Sequence, residues 1–447
     1  MRIAGKLIGT FALALAACRS PGKGTTAYVG AHVFDGTGAV IDSAVILESQ
    51  GHVTAIGRAD SVEVPRGATV VPVDGQWIIP GLIDGHAHAG ESNMATYLSY
   101  GVTSVRHVGG DLDRLTTLRA RVSDDSIPGP RLYISGEALT GAPAVWPGQI
   151  VLKSPADVAP AVARLAAAGV SQIKLYTHTT RELLNAVVLS ARRQGLPVTA
   201  HLGRVDAFTA AQLGVTSIEH LSGVVEATVP DPARFYAAHE HFPTGWMTFL
   251  RGWAGLDSAS LEKTATELAG TGVVMVPTLV QSETYARVLD TTYAQSLDLS
   301  AVSAAEQAEW NLPDLIARYA ITPADLPLLQ RSREKEDLFL RRFVAHGGKV
   351  VAGSDSPNQL LVPGASLHEE LKLLVRAGFT SSQALISATH TAAELLRADS
   401  IGVIRPGAVA DFVVLAASPL EDITNVRRIA MIVARGHQRF PEELRKR

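Results

Sequence analysis

The strongest constraint on the fold is a stretch, residues 154–221, in which apolar strands alternate with helices through short connections. Its helices begin at capping signals, at Ser154 before a proline and at Thr179 with capping-box spacing, and they end at glycines such as Gly169 and Gly195. The strands predicted between them are 171–176, 197–202 and 216–221. Strands joined through helices in this way must run parallel in one sheet.

The same alternation extends from Pro80 to about Asp399. Near its end a predicted helix, 334–346, stops at two glycines and leads into a strand, 349–354. Repeated strand-helix units over such a length favour a closed eight-stranded barrel over an open sheet. The predicted fold class is therefore α/β, with a (β/α)8 TIM barrel over residues 80–400.

The segments on either side of this region have a different pattern. Residues 27–79 contain short β-branched runs separated by glycine-rich turns, and short strands return after Ile401. We expect the two segments, 27–79 and 401–440, to pack together as one small discontinuous β-sandwich domain beside the barrel.

The N-terminus has the charged start and short apolar run of a secretory signal. Residues 15–18 resemble a bacterial lipobox, so residues 1–18 are predicted to be a signal peptide and 19–26 a linker. Cys18, the one cysteine of the chain, would then carry a lipid. An ordinary cleaved signal peptide or an uncleaved anchor are the alternatives. The lipobox predicts an exported, periplasmic protein that meets the membrane only through this lipid, and Arg19 favours the outer membrane by the same resemblance.

The charge composition argues against nucleic acid as a partner. The chain has 40 basic and 43 acidic residues, so its formal net charge is −3. A nucleic-acid-binding surface would require an excess of basic residues. The composition therefore gives no support for nucleic-acid binding.

Two histidines follow the first apolar strand of the predicted barrel. His86 and His88 are two residues apart, and the period of a strand places both imidazoles on one face, where they can chelate one metal ion. With 14 histidines in the chain, chance or a structural role explains this pair equally well. The pair therefore needs support from other residues.

That support comes from four more polar residues, each at the C-terminal end of an apolar strand: Lys174, His201, His220 and Asp355. In α/β barrels this rim is where active-site residues gather. Singly, a buried lysine can pair with an acid and a histidine can cap a carbonyl. Together they indicate a metal centre.

In this order, the six residues resemble the ligand set of the amidohydrolase superfamily, binuclear subtype. The segments 101–106 and 407–412 are similar to those of its imidazolonepropionase-related and prolidase-like members, and the resemblance spans Ala27 to about Gly436. It implies two divalent metal ions, with zinc favoured by the nitrogen and oxygen ligands and manganese or cobalt as substitutes.

The resemblance also implies a role for each ligand. His86, His88 and Asp355 would hold the more buried metal ion, and His201 and His220 the more exposed one. Lys174, carboxylated by CO2, would bridge the two ions; an unmodified lysine would leave a one-metal site. Asp355 would take a proton from the attacking water and deliver it to the leaving nitrogen.

Four residues are predicted to contact the substrate. Tyr176, two residues beyond Lys174 on the same strand face, would polarise the substrate carbonyl or bind a substrate carboxylate. His178, Arg106 and Trp146 are further candidates. Two features depart from the relatives' pattern: His107 stands where they have aspartate, and residues 141–148 replace a Gly-Gly-His type loop.

The predicted function is hydrolysis of a C-N amide bond, in a dipeptide or in an N-acyl amino acid with an aromatic or bulky acyl group. Alternatives on the same metals are a lactone, ester, cyclic imide or phosphotriester hydrolase, or a deaminase. An inactive barrel that acts as a binding or scaffold lipoprotein is the alternative outside enzymes. Relatives are often oligomeric, which implies a homo-oligomer here.

Overall fold

The computed structural model describes residues 24–308 and 310–445 of the chain. Its strands, in chain order, are β1 Thr25–Phe34, β2 Val40–Ser49, β3 His52–Arg58, β4 Thr69–Pro72, β5 Trp77–Pro80, β6 Leu82–Ala87, β7 Val102–His107, β8 Arg131–Ile134, β9 Leu139–Thr140, β10 Ile150–Val151, β11 Ile173–Leu175, β12 Val198–Ala200, β13 Ser217–Glu219, β14 Val274–Val276, β15 Lys349–Val350, β16 Phe412–Leu415, β17 Ile429–Ala434 and β18 His437–Arg439. The predicted signal peptide and Cys18 lie outside the described residues.

Its helices, in chain order, are α1 Met94–Ser99, α2 Leu112–Ser123, α3 Val158–Ala167, α4 Arg181–Arg193, α5 Ala207–Leu213, α6 Val224–Thr228, α7 Ala233–Ala238, α8 Phe242–Gly252, α9 Ser258–Thr271, α10 Leu279–Arg287, α11 Thr291–Gln295, α12 Ala304–Ala308, α13 Leu312–Arg318, α14 Leu326–Ala345, α15 Ala365–Arg376, α16 Ser381–Ser387, α17 His390–Leu396 and α18 Pro441–Leu444. Within the described ranges, none of them has the length and apolar character needed to span a bilayer.

The central part of the chain is a parallel barrel. Strands β6, β7 and β8 pair in parallel, and so do β11, β12, β13, β14 and β15. Backbone hydrogen bonds join the two groups at both edges, from Ser171 to Ile134 and from Gly85 to Ala352. The sheet is therefore closed, and the predicted (β/α)8 barrel is confirmed.

The segments before and after the barrel form one sheet. Its strand order is β18-β17-β16-β5-β1-β2-β3, with β4 paired to β1. The sheet has its own apolar core, in which Tyr28 from the first segment meets Phe412 from the last at 4.9 Å between ring centroids. A single residue, Gly81, separates β5 from β6, so the sheet continues directly into the barrel.

The predicted helix starts differ slightly from those observed. The helix after Ser154 begins with a 3-10 turn and becomes α-helical only at Val158. Thr180, rather than Thr179, caps α4, because its hydroxyl accepts a hydrogen bond from the N–H of Leu183. Helix α14 begins at Leu326, eight residues before the predicted start at Glu334. A break at Thr389 separates α16 from α17.

Candidate metal centre

All six predicted ligands meet at the C-terminal rim of the barrel, where they line one cavity of about 590 Å³. His86 and Lys174 lie in β6 and β11, His201 and His220 directly follow β12 and β13, and His88 and Asp355 lie in the segments after β6 and β15. His220 and Asp355 have positive φ angles, 59° and 57°, a conformation that ends the strand.

One half of the centre is formed by His86, His88 and Asp355, whose ligand atoms all lie within 4.8 Å of one another. The Nε2 atoms of both histidines are 3.1 Å from the Oδ1 atom of Asp355. Two imidazole nitrogens and a carboxylate that converge in this way can hold a divalent cation.

The other half consists of His201, His220 and Lys174. The ring centroids of His201 and His220 are 4.8 Å apart, and that of His220 is 4.5 Å from that of His86. In the described part of the chain, neither ring nitrogen of His201 nor the Nζ atom of Lys174 has a hydrogen-bond partner, although all three are buried. Buried polar atoms without partners are costly, so these atoms fit a site whose ligand is an ion.

The exposure of the six residues does not distinguish a more buried from a more exposed half, because His86 and Asp355 are as buried as His201 and His220. The His88 side chain is 34% exposed, whereas His201 and His220 have exposures of only 3% and 5%. The reason is that the rings of Phe242 and Trp246 cover His201, with centroids at 5.8 and 5.2 Å. The ligand motifs do not predict this covering, because both rings belong to α8, a separate element from the strand that precedes His201.

Outer partners orient three of the imidazoles. His86 directs its Nδ1 atom to the Glu219 carboxylate at 2.5 Å, and His220 directs its Nδ1 atom to the Thr278 hydroxyl at 2.7 Å. His88 Nδ1 faces the Gly109 carbonyl at 3.4 Å. A histidine held at Nδ1 presents Nε2 to a metal ion, and such partners both fix the ring and raise its basicity.

The charges of the site are strongly coupled. Burial disfavours ionised carboxylates, but Arg106 and His86 outweigh it at Glu219 and hold the pKa of this group well below its usual range. His86 does the same for the pKa of Asp355. Burial lowers the pKa of Lys174 to about 8, and burial next to other imidazoles lowers the pKa values of His201 and His220. Neutral imidazoles and ionised carboxylates are the protonation states that bind metal ions.

The predicted substrate residues do not all reach the cavity. Tyr176 and Trp146 line it. Arg106 does not: it is 2% exposed inside the barrel, where it donates to Gln172, to Ser217 and to Glu219. The prediction for Arg106 was wrong because its strand position points the guanidinium toward the barrel axis.

His178 is also outside the cavity lining. Its side chain is buried, and its Nδ1 atom donates to the Pro143 carbonyl at 2.6 Å. His178 therefore supports the loop that contains Trp146 rather than a substrate. His107, where the resemblance predicted an aspartate, is buried beside His88 at a centroid distance of 5.7 Å, and burial lowers its pKa to about 3, so it remains neutral.

Several residues of the site were not predicted. Glu219 holds His86 and Arg106 together and accepts a further hydrogen bond from Thr199. Gln281 of α10 donates to the Oδ2 atom of Asp355. A glutamate inside an otherwise apolar strand is the signal that could have identified Glu219. Nothing local marks Gln281, because it contacts Asp355 across 74 residues of sequence.

The model of the amidohydrolase family matches residues 77–439. The chain belongs to the amidohydrolase family. The superfamily predicted from the six ligands is thereby confirmed. An uncharacterized protein of Mycobacterium tuberculosis (strain H37Rv) is 28% identical over 195 residues, which cover 38% of this chain and 51% of that protein. The chain thus spans about half the length of the curated relatives it matches.

Solved structures share the fold over nearly the whole chain. A bottromycin amidohydrolase has a TM-score of 0.73 at 22% identity, with 94% of this chain and 88% of that chain covered. A Xaa-Pro dipeptidase with bound methionine has a TM-score of 0.68 at 19% identity, with 93% of this chain and 100% of that chain covered. A putative prolidase from Bifidobacterium longum has a TM-score of 0.67 at 23% identity, with 94% of this chain and 98% of that chain covered.

Proposed function

We propose that the chain is a metal-dependent hydrolase that cleaves a C-N amide bond, in a dipeptide or in an N-acyl amino acid. One observation carries the proposal: four imidazoles, a buried amine and a carboxylate converge on one cavity, and the polar atoms of Lys174 and His201 have no partner among the described residues. The family and the prolidases among its structural neighbours support an amide as the substrate.

In this proposal His86, His88 and Asp355 would hold one divalent ion, and His201 and His220 would hold a second. Lys174 would be a further ligand as a carbamate, which forms when its neutral amine bonds to the carbon of CO2 and releases a proton. Its lowered pKa, about 8, makes the neutral amine accessible. Zinc suits this nitrogen and oxygen ligand set. Bound metal ions would polarise the substrate carbonyl and lower the pKa of a water molecule.

Asp355 transfers a proton in the proposed reaction, and Tyr176 stabilises negative charge. Asp355 is ionised and accepts the proton of the attacking water, which it transfers to the leaving nitrogen. Gln281 donates to the Oδ2 atom of Asp355, while the Oδ1 atom faces His86 and His88. Burial raises the pKa of Tyr176 well above its usual value, so the phenol stays protonated. It donates a hydrogen bond to the substrate carbonyl oxygen as negative charge develops there.

The test combines metal analysis with a substrate panel. The full chain, expressed with zinc, is expected to bind about two ions per chain and to turn over at least one amide in a panel of dipeptides, N-acyl amino acids, lactones and organophosphates. His201→Ala should lower the metal content, and His437→Ala, at an exposed histidine outside the cavity lining, should not. Turnover of lactones or phosphotriesters without any amide would refute the proposed reaction. Well under one ion per chain would indicate a metal-free binding protein.

A further inference from the structure

The loop between β9 and β10 brings an indole to the mouth of the cavity. Trp146 is 39% exposed and lines the cavity. Its ring packs edge-on against Phe242 and Tyr176, at centroid distances of 5.2 and 6.1 Å. A large apolar side chain that is packed on one side and open on the other offers a contact surface to a ligand.

Two polar side chains, Gln149 and His178, hold this loop in place. The Gln149 side-chain oxygen accepts hydrogen bonds from the backbone N–H groups of Val145 and Trp146, at 2.7 and 3.2 Å. On the other side of the tryptophan, His178 donates to the Pro143 carbonyl. Because the backbone is held before and at Trp146, the indole has a defined position over the cavity.

The indole continues a surface of rings that reaches the metal centre. Tyr176 lies 4.7 Å from His201 between ring centroids, and Phe242 lies 5.7 Å from Tyr176. The cavity wall beside His88 is different, because there the backbone of Gly109 and Gly110 lines the cavity. The cavity therefore has an aromatic wall next to His201, whereas two glycines contribute to the wall next to His88.

This asymmetry orients a substrate. In the proposed reaction Asp355 protonates the leaving nitrogen, and Asp355 lies against His86 and His88. The leaving group therefore lies on that side, and the acyl group extends past His201 toward the rings. The inference that follows rests on the proposed amide hydrolysis.

We propose that Trp146 determines substrate specificity by packing against a flat aromatic acyl group, and that His178 is a positioning residue that holds the Trp146 loop. An aliphatic acyl group of similar size would bury apolar surface here without the favourable ring-ring geometry. The substrate class is thus an N-aroyl amine rather than an N-alkanoyl amine.

The first test measures the binding of acyl products, which does not require turnover. Calorimetric titration of the metal-loaded full chain should give an affinity for 2-naphthoate about tenfold higher than for decahydro-2-naphthoate, its saturated counterpart with the same carbon skeleton. Trp146→Ala should remove most of this preference, and Trp146→Phe should retain part of it. Phe440→Ala, at an exposed aromatic residue of the terminal helix region, is the matched control and should change neither affinity.

A second pair of variants tests His178. His178→Ala should reduce the naphthoate preference severalfold, because the bond to Pro143 is lost. His178→Asn places an amide N–H near the position of Nδ1 and should restore the preference. If both variants lower the melting temperature but leave the ratio of the two affinities unchanged, His178 is structural only and its positioning role is refuted.

Equal affinities of the two acids in the wild-type chain, or equal losses of both in Trp146→Ala, would overturn the specificity inference. Turnover then tests orientation: Trp146→Ala should raise KM for N-(2-naphthoyl)-alanine more than kcat falls. A stronger dependence on Trp146 for amides with naphthyl on the nitrogen side would overturn the assignment of the acyl side. A naphthoate preference without turnover of any amide would refute the proposed function and leave the binding inference standing.

Discussion

The two halves of the candidate metal centre are held by different forces. His86, His88 and Asp355 are joined to one another and to Glu219 by hydrogen bonds and charge. The second half, His201, His220 and Lys174, is held mainly by packing, under rings that exclude solvent, and it retains buried polar atoms without partners in the described chain.

This difference indicates how each half responds to a bound ion. The hydrogen-bonded half is organised by the protein itself, so an ion adds to an existing network. The packed half has its side chains in place but leaves the polar atoms of Lys174 and His201 without partners in the described chain, so its stability depends more on what binds there. The following predictions test this contrast, from the largest expected effect to the smallest.

Replacing Lys174 should have the largest effect. Lys174→Ala removes the group proposed to join the halves, and activity on the best amide should fall roughly a thousandfold, the loss expected when charge stabilisation in the transition state is removed. Metal content should fall toward one ion per chain. Lys153→Ala, at an exposed lysine, is the control. Two ions retained by Lys174→Ala would show that the halves bind metal independently.

Replacing Glu219 should weaken the hydrogen-bonded half. Glu219→Gln keeps the shape of the side chain but removes the charge that faces His86 and Arg106. We expect about a hundredfold loss of metal affinity or activity, at the upper end for an outer partner of a ligand. Competition with a chelator measures the affinity. Glu226→Gln, at a buried glutamate beside His239, is the matched control. An unchanged affinity would mean that packing alone orients His86.

Replacing Thr278 should affect the packed half less. Thr278→Val removes the hydroxyl that faces His220 Nδ1 and keeps the side-chain volume. Because rings also hold this half, we expect only about a tenfold loss of metal affinity. The same chelator competition measures it. A loss as large as that of Glu219→Gln would contradict the contrast between the halves.

The last prediction concerns folding stability rather than metal affinity and lies outside this contrast. Burial raises the pKa of Glu370 from 4.5 to about 8, with its Oε2 atom accepting from the Val280 N–H. A raised folded-state pKa contributes stability that is present below pH 4.5 and is lost as the pH rises toward 8. Glu370→Gln should therefore gain stability relative to wild type between pH 5 and pH 8, measured by urea unfolding. An equal difference at both pH values would show that Glu370 titrates normally.

Much of the site could be predicted because strand geometry is local. The period of two places His86 and His88 on one face, and the end of an apolar strand marks Lys174, His201 and His220. Arg106 shows the limit of this reasoning, because it was a candidate for substrate contact while its four hydrogen bonds hold it inside the barrel.

The amino-acid sequence by itself determined the alternation of strands and helices, and with it the barrel and the six ligands at one rim. Only the tertiary structure decided which of these ligands are covered, what orients them and which wall a substrate meets. Phe242, Trp246, Gln281 and the partner of His178 come from distant segments, and such contacts depend on how helices and loops pack over the rim. Periodicity reports neighbours along one element, whereas solvent exclusion and outer hydrogen bonds arise between elements.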